Sequence, residues 1–419
     1  MDTIVPLANT RSAAAIVSRN IRFLYLEIAF ASVLGAIITF NSAFAIRLGA
    51  PNELVALLTA GPALVSAIAS IPTARFLSRR TRRKAWLFGS LFIYRLGYLG
   101  IAFMPILYPV NTAAWLVIWT LALNLPLIFF TNGWHVLLGD LIPSDRRAFV
   151  ISRRQILWSL GLIVVSALGG EWLYRQPFPL NYELLFGFGF VTVMGSQLFL
   201  QLLVVPPHVH LQSETSDLDA PIEPIRMRPP IARQLFNMTI YQIGLSLPSA
   251  LFNIYYIRSL GATDAWIGFN GAAANLGVIA GYYMWERLLK RHSFGWAQRR
   301  ATLITWTFPA VVAFIPNLTV ILAANFFVNM MHSGVDLANF NVLLNISKPH
   351  ERAAYISWFN SGINVSIFAA TLIGTYLASP WGIAAVMILS VIFRLVGGLL
   401  CNFRRVDEPT TGLELKTAD

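Results

Sequence analysis

The sequence predicts an all-α membrane protein with twelve transmembrane helices in two pseudo-symmetric six-helix bundles. Three observations carry that prediction. Hydrophobic residues make up 56% of the 419 and charged residues only 12%, a balance far from that of a soluble domain. The apolar residues gather into stretches of about 20, the length that crosses a hydrocarbon core. The chain also repeats itself at about half its length. PSDRRAF at Pro143 to Phe149 returns as PHERAAY at Pro349 to Tyr355, and IRLGA at Ile46 to Ala50 returns as IRSLGA at Ile257 to Ala262 with one residue inserted.

In chain order, the first half holds apolar stretches at 21–46, 53–77, 85–107, 112–138, 155–175 and 183–205. The second half holds them at 236–257, 266–286, 301–315, 318–345, 354–378 and 381–403, with Pro316-Asn317 as a tight turn after the short ninth. Between the halves, a stretch rich in proline and acids (Glu214, Asp217, Asp219, Glu223) has nothing with which to build a core. The expected organisation is therefore a bundle over 1–205, a cytoplasmic linker over 206–233, a second bundle over 234–405 and a cytoplasmic tail over 406–419.

The net charge of +12 would point to nucleic acid in a soluble protein. Its placement points elsewhere. With the N-terminus taken as cytoplasmic, twenty-six Lys and Arg fall on that side, and only Arg47, Arg175 and Arg258 on the other. That asymmetry is an orientation signal, expected to put both termini and the linker in the cytoplasm. The single cysteine, Cys401, excludes internal disulfides and thiolate metal clusters. No removable signal peptide is read at the N-terminus, so the first helix is expected to direct insertion.

Two arginines and several polar residues remain inside spans. The tenth carries Asn325, Asn329, His332, Asp336 and Asn339 at spacings of four, three, four and three, which places all five on one helical face. The seventh repeats the pattern with Gln242, Ser246, Ser249, Asn253 and Tyr256, and the eleventh with Asn360, Asn364, Thr371 and Thr375. Such stripes either line a water-filled path or join helices through amide and hydroxyl contacts. Asp336, near mid-membrane, is costly when ionised and is the candidate proton carrier, with His332 one turn away to share the proton. Its alternative role is counter-ion to Arg95 or Arg394. Arg95 is expected to pair with Glu27, and Arg394 lies within snorkelling reach of the cytoplasmic interface. First-half cavity candidates are Asn41, Asn124, Asn132, Trp134 and His135, with Pro126 as a kink. Phe130, Phe252, Tyr255 and Tyr256 are further aromatic surfaces.

Two six-helix halves, a cytoplasmic linker and a basic second loop together resemble the major facilitator superfamily across almost the whole chain. The family's second-loop signature, G-x-x-x-D-R-x-G-R-R, corresponds to ARFLSRRTRRK at Ala74 to Lys84. Arg79, Arg82 and Arg83 fit it, whereas Ser78 replaces the acid and Ala74 and Thr81 replace the glycines. The fifth-helix signature of drug/proton antiporters, G-P-x-x-G-G, is reduced to VSALGG, with Gly169 and Gly170 in place but Val165-Ser166 for Gly-Pro. The antiporters' fourth-helix arginine is also missing between Asn111 and Asp140. The resemblance implies that helices seven, ten and eleven line a central cavity while nine and twelve stand outside. Asp145-Arg146 and Glu351-Arg352, in the repeated loops, are expected to clasp and release as the halves rock, or simply to start helices.

The expected function is secondary active transport of a small polar or amphipathic organic solute by alternating access, with proton coupling at Asp336. The expected setting is multi-pass in the plasma (cytoplasmic) membrane, working as a monomer on a small-molecule substrate, with no cofactor, metal or nucleic acid. Two other readings stay open. One is a non-transporting receptor or regulator on the same fold. The other is a membrane acyltransferase using the H-x-x-x-x-D spacing of His135 and Asp140, a spacing that arises readily by chance.

Overall fold

The computed structural model describes residues 7–78, 83–204, 229–347 and 352–403. Among the described residues there are helices and connecting turns but no strand. The first half contains α1 (Leu7–Ile38), α2 (Asn41–Arg47), α3 (Asn52–Ser78), α4 (Arg83–Ala102), α5 (Met104–Leu107), α6 (Thr112–Leu141), α7 (Ser144–Arg175) and α8 (Leu180–Gln201). The second contains α9 (Pro229–Ser246), α10 (Ser249–Ile254), a π-helical turn (Tyr255–Ser259), α11 (Asp264–Leu289), α12 (Phe294–Thr302), α13 (Thr307–Phe314), α14 (Leu318–Ile346), α15 (Arg352–Trp381) and α16 (Ile383–Phe403).

These elements fall on the twelve apolar stretches, except that the helix of the ninth starts at Phe294, seven residues before the apolar run at 301. Among the described residues, nine helices are long and apolar enough to cross a membrane. The other three stretches carry their own reasons. The seventh is broken at Leu247-Pro248 and the ninth at Leu303–Trp306, while α11 is continuous but diluted by Asn270, Asn275 and several glycines. The residue inserted in IRSLGA is absorbed locally. Leu260 N–H reaches back to Tyr255 O at 3.0 Å and Ala262 N–H to Tyr256 O at 2.8 Å, the wider turn that a one-residue insertion in a helix produces. Both copies then turn through a glycine in the left-handed region, Gly49 at φ 81° and Gly261 at φ 66°, where a side chain would be strained.

The chain divides into two compact units. Unit 1 comprises Met1–Leu48, Ile68–Ala220 and Asp264–Ala272; unit 2 comprises Gly49–Ala67, Pro221–Thr263 and Ala273–Asp419. In unit 1, α1 packs on α7 and α8, and α4 on α6 and α8, around a core that includes Leu24, Leu87, Leu91, Leu138 and Leu200. The start of α11 is held there by Asp264, which accepts from Tyr182 Oη at 2.7 Å and lies 3.5 Å from Arg47 Nε. In unit 2, α9 packs on α15 and α16, and α12 on α14 and α16, around Met238, Tyr241, Trp285, Val335 and Phe359. There the start of α3 is held by Arg258, which donates to Asn52 Oδ1 at 2.6 Å and to the Ala50 carbonyl. Two of the three arginines on the side away from the basic loops thus tie down helix starts. The third, Arg175, pairs with Glu171 at 2.7 Å.

Candidate functional site

The side chains along α14 have two opposite characters. Val320 and Phe327, the latter 58% exposed, share one side. At about 100° per residue, Asn325, Asn329, His332 and Asp336 all fall within roughly 40° of the direction opposite Phe327. The apolar exposed side suits lipid. On the other side, the Asp336 side chain is 52% exposed and that of His332 31%, which in a spanning helix calls for water. Asn329 Nδ2 donates to the Asn325 carbonyl (2.8 Å) and to its Oδ1 (2.9 Å), so this pair adds a continuous polar edge along the same face.

Behind that face lies a chain of polar contacts. His332 Nε2 is 3.6 Å from Asp336 Oδ1. On the other edge of the ring, Nδ1 is 3.3 Å from Tyr241 Oη of α9. Tyr241 Oη is 2.9 Å from Thr305 Oγ1, and Thr305 Oγ1 lies 3.2 Å from the Thr302 carbonyl. Tyr241 and Thr305 are fully buried, so this chain leads from the half-exposed carboxylate into the break of the ninth stretch.

Several residues expected to line a cavity serve packing instead. Asn339 Oδ1 accepts from Gln234 Nε2 (3.1 Å) and Gln298 Nε2 (3.4 Å), both on buried glutamines, and so joins α14 to α9 and α12. Ser246 is buried; its carbonyl accepts from Ser249 Oγ (2.8 Å) and Thr371 Oγ1 (3.1 Å) beside the break at Pro248. Tyr256 is buried and stacks on Phe252. Asn132 Nδ2 donates to the Ser70 carbonyl (2.9 Å) and Thr73 Oγ1 (2.6 Å), joining α6 to α3. Asn339, Ser246 and Tyr256 were expected at a cavity because their spacing matches a stripe, and Asn132 as a first-half candidate; other helices supply partners to Asn339, Ser246 and Asn132, while Tyr256 packs on its own segment. Gln242 bonds to Ser246 Oγ at 3.0 Å. Asn253 is half-buried, Asn360 is exposed, and Asn364 donates to the Asn360 carbonyl at 2.9 Å.

The intramembrane charges follow two designs. Glu27 of α1 is buried and receives Arg154 Nη1 of α7 at 2.7 Å, Ser196 Oγ of α8 at 3.1 Å and, at 3.7 Å, Arg95 Nη2 of α4. Arg95 also donates to Gln197 Oε1 (2.6 Å) and Ser196 Oγ (2.7 Å). Sequence reasoning missed Arg154 by counting it among loop arginines. In fact α7 begins at Ser144, and the Arg154 guanidinium sits 5.0 Å over Trp134, which itself stacks on Phe130.

Arg394 does not snorkel. It is 4% exposed, with Nε 3.2 Å from the Gly244 carbonyl and Nη1 3.0 Å from the Thr305 carbonyl. The residues four positions on are Pro248 and Pro309. A helical carbonyl is normally satisfied by the N–H four residues later, which proline lacks. One guanidinium therefore caps two carbonyls that two prolines leave orphaned, with Ser390 Oγ adding a third donor at 2.6 Å to Gly244. Arg394 is thus held by backbone, whereas Asp336 has His332 as its neighbour. The spacing Gly-x-x-x-Pro and Thr-x-x-x-Pro was the available signal.

Arg79, Arg82 and Glu351 lie outside the described residues. Arg83 and Arg352 are the first residues of α4 and α15, and Asp145 the second of α7, so both PSDRRAF and PHERAAY fall at helix starts. Arg146 is exposed. The side chains of His135 and Asp140, near the end of α6, are outside the described set. Among the described residues no group of three His, Cys, Asp or Glu could hold a metal ion.

The sequence model of the major facilitator superfamily matches residues 24–252 and 234–419. The chain belongs to the major facilitator superfamily. As a member, it is an integral multi-pass membrane protein of a secondary-transporter family. Among curated proteins, none matches it by sequence. Solved structures share its fold at low identity. A D-xylose–proton symporter is 13% identical with a TM-score of 0.71, over 94% of this chain and 98% of that one. The nucleoside transporter NupG is 11% identical with a TM-score of 0.69, over 92% and 99%. An inward-facing bacterial homolog of the human lysosomal transporter Spinster is 14% identical with a TM-score of 0.66, over 93% and 96%.

Proposed function

We propose that this superfamily member carries a small polar or amphipathic organic solute by alternating access, with proton coupling at Asp336. The observation that carries the reading is the half-exposed His332–Asp336 pair on the side of α14 opposite its exposed apolar side. A carboxylate there is costly unless it meets water, a proton or a solute group. On the same face of α14, Asn325 and Asn329 offer amide donors and acceptors suited to hydroxyl- or amine-bearing solutes, and Gln242, Asn360 and Asn364 are proposed to add further amides from α9 and α15. The buried arginines are engaged by Glu27 or by carbonyls, which disfavours a strongly anionic solute. The positive-inside asymmetry supports cytoplasmic termini in a plasma membrane. The half-length repeat supports two bundles joined through 206–233, acting as a monomer.

The test is uptake into proteoliposomes of a panel of radiolabelled sugars, nucleosides and amines, with and without an inward proton gradient. Wild-type protein should accumulate at least one solute against its gradient. Asp336→Asn should retain counterflow exchange of that solute while losing gradient-driven accumulation. Accumulation preserved in Asp336→Asn would remove the coupling role, and a panel with neither uptake nor exchange would count against transport of these classes.

A further inference from the structure

The contacts behind His332 admit two hydrogen arrangements, and they differ by one proton at the water-facing end. Neither hydroxyl in the chain can donate twice. In the first arrangement, Thr305 Oγ1–H points to Tyr241 Oη and Tyr241 Oη–H to His332 Nδ1. The ring then carries its proton on Nε2, facing an ionised Asp336. In the second, His332 Nδ1–H donates to Tyr241 Oη, Tyr241 Oη–H to Thr305 Oγ1, and Thr305 Oγ1–H to the Thr302 carbonyl, whose separation is 3.2 Å. With Nδ1 already protonated, Nε2 and Asp336 Oδ1 at 3.6 Å would be two bare acceptors facing each other. That is resolved by one more proton on Nε2, which makes the ring an imidazolium beside the carboxylate.

We infer that Tyr241 and Thr305 are positioning residues for the transported proton: when the His332–Asp336 pair takes one up, the two hydroxyls rotate and the reversed chain reports the proton at the Thr302 carbonyl. The inference rests on the reading of Asp336 as the coupling site and deepens it. The balance is simple. One proton arrives from water at the pair, two hydroxyl hydrogens reorient without leaving their oxygens, and no proton travels through the chain. The far end is a sensitive place for such a signal. Thr302 ends α12 and Thr305 lies within the turn 303–306, where the Thr305 carbonyl already holds Arg394 Nη1. Among the described residues, the charged or titratable groups within electrostatic reach of the pair and its chain are Tyr241 of α9, Tyr282 of α11, and Arg394 and Cys401 of α16. On the ring's Nδ1 side, the bonding group among the described residues is Tyr241.

The experiment uses full-length protein in proteoliposomes labelled with [15N]histidine. It contains six histidines, and the His332 resonances are assigned by their loss in His332→Gln. Nitrogen shifts distinguish the Nε2–H tautomer from the doubly protonated ring. On acidification, wild-type His332 should pass from the first to the second. Thr305→Val removes the acceptor that Tyr241 needs for the reversed arrangement. At the pH where half of wild-type His332 is doubly protonated, the ratio of the two forms should fall about tenfold, the equivalent of one hydrogen bond. Thr305→Ser should restore the ratio, and in a Tyr241→Phe background Thr305→Val should have no further effect. An unchanged ratio in Thr305→Val, or no rescue by serine, overturns the relay. If that happens while Asp336→Asn still abolishes accumulation, the transport reading stands without it. If the relay titrates as described but Asp336→Asn leaves accumulation intact, the coupling reading falls and the proton-linked rotation stands.

Discussion

Replacing Arg394 with methionine tests whether one side chain holds two proline-broken helices together. The substitution keeps length and apolar stem but removes both hydrogen bonds, to Gly244 at 3.2 Å and Thr305 at 3.0 Å. Hydrogen bonds from a charged donor contribute about 1.5–3 kcal/mol each, and a buried carbonyl left unpaired costs about as much. Against that, removing a buried charge recovers part of its desolvation. Ser390 still serves Gly244, so most of the loss falls on Thr305. A net destabilisation of about 2–4 kcal/mol follows, or roughly 2–5 °C in a thermal melt of a chain this long. Intrinsic fluorescence in detergent would read it. Arg394→Lys should lose a large part of this, because an ammonium cannot reproduce the planar fork. The decisive comparison adds Pro309→Ala. The flanking bonds, Thr307 N to Ile304 O at 3.1 Å and Ala310 N to Trp306 O at 3.4 Å, are helical, so an alanine N–H would point at the Thr305 carbonyl. In the Arg394→Met background it should recover about 1 kcal/mol. A shift below about 2 °C for Arg394→Met, or strictly additive effects of the two substitutions, would refute the capping role.

Two further outcomes follow from the packing. Glu27→Gln leaves Arg95 and Arg154 buried without their carboxylate and should destabilise unit 1 by about 3–5 kcal/mol, with partial recovery on adding Arg154→Met; thermal melting with both variants checks it. Gly170→Val should be poorly tolerated, because even a Cβ there would lie 2.6 Å from the Asp264 carbonyl and 2.8 Å from Gly268 Cα. The expected loss is about 1–3 kcal/mol or more, whereas Gly187→Ala, where a Cβ would meet nothing, should melt as wild type.

The fold was legible because the bilayer imposes length and polarity on every span, and because loop arginines report orientation. The α14 stripe was legible for a related reason: Asn325, Asn329, His332 and Asp336 obey helical spacing, and periodicity survives in a sequence. Which stripe residues meet water did not follow from spacing. Asn339 continues the same stripe yet is taken by Gln234 and Gln298, which lie about a hundred and about forty residues away along the chain. Ser246 and Tyr256 likewise match a face that neighbouring helices cover. Arg154 was hidden by the extension of α7 below its apolar part, so that a loop residue by composition is a buried one by position. Arg394 was misread for a more general reason. An arginine in a span suggests an acid or the interface, but orphaned carbonyls are equally good partners, and the prolines that orphan them stand on two other segments.

Cysteine accessibility reads out whether the His332–Asp336 side of α14 faces water rather than lipid. Cys401 is the single cysteine, so Cys401→Ser provides a clean background. Single cysteines at Asn325, Asn329, His332, Val320, Ala323 and Phe327 would be exposed to a hydrophilic thiol reagent in proteoliposomes. Labelling should be rapid at positions 325, 329 and 332 and slight at positions 320, 323 and 327. Equal labelling on both sides, or labelling confined to the Phe327 side, would contradict a water-facing His332–Asp336 side.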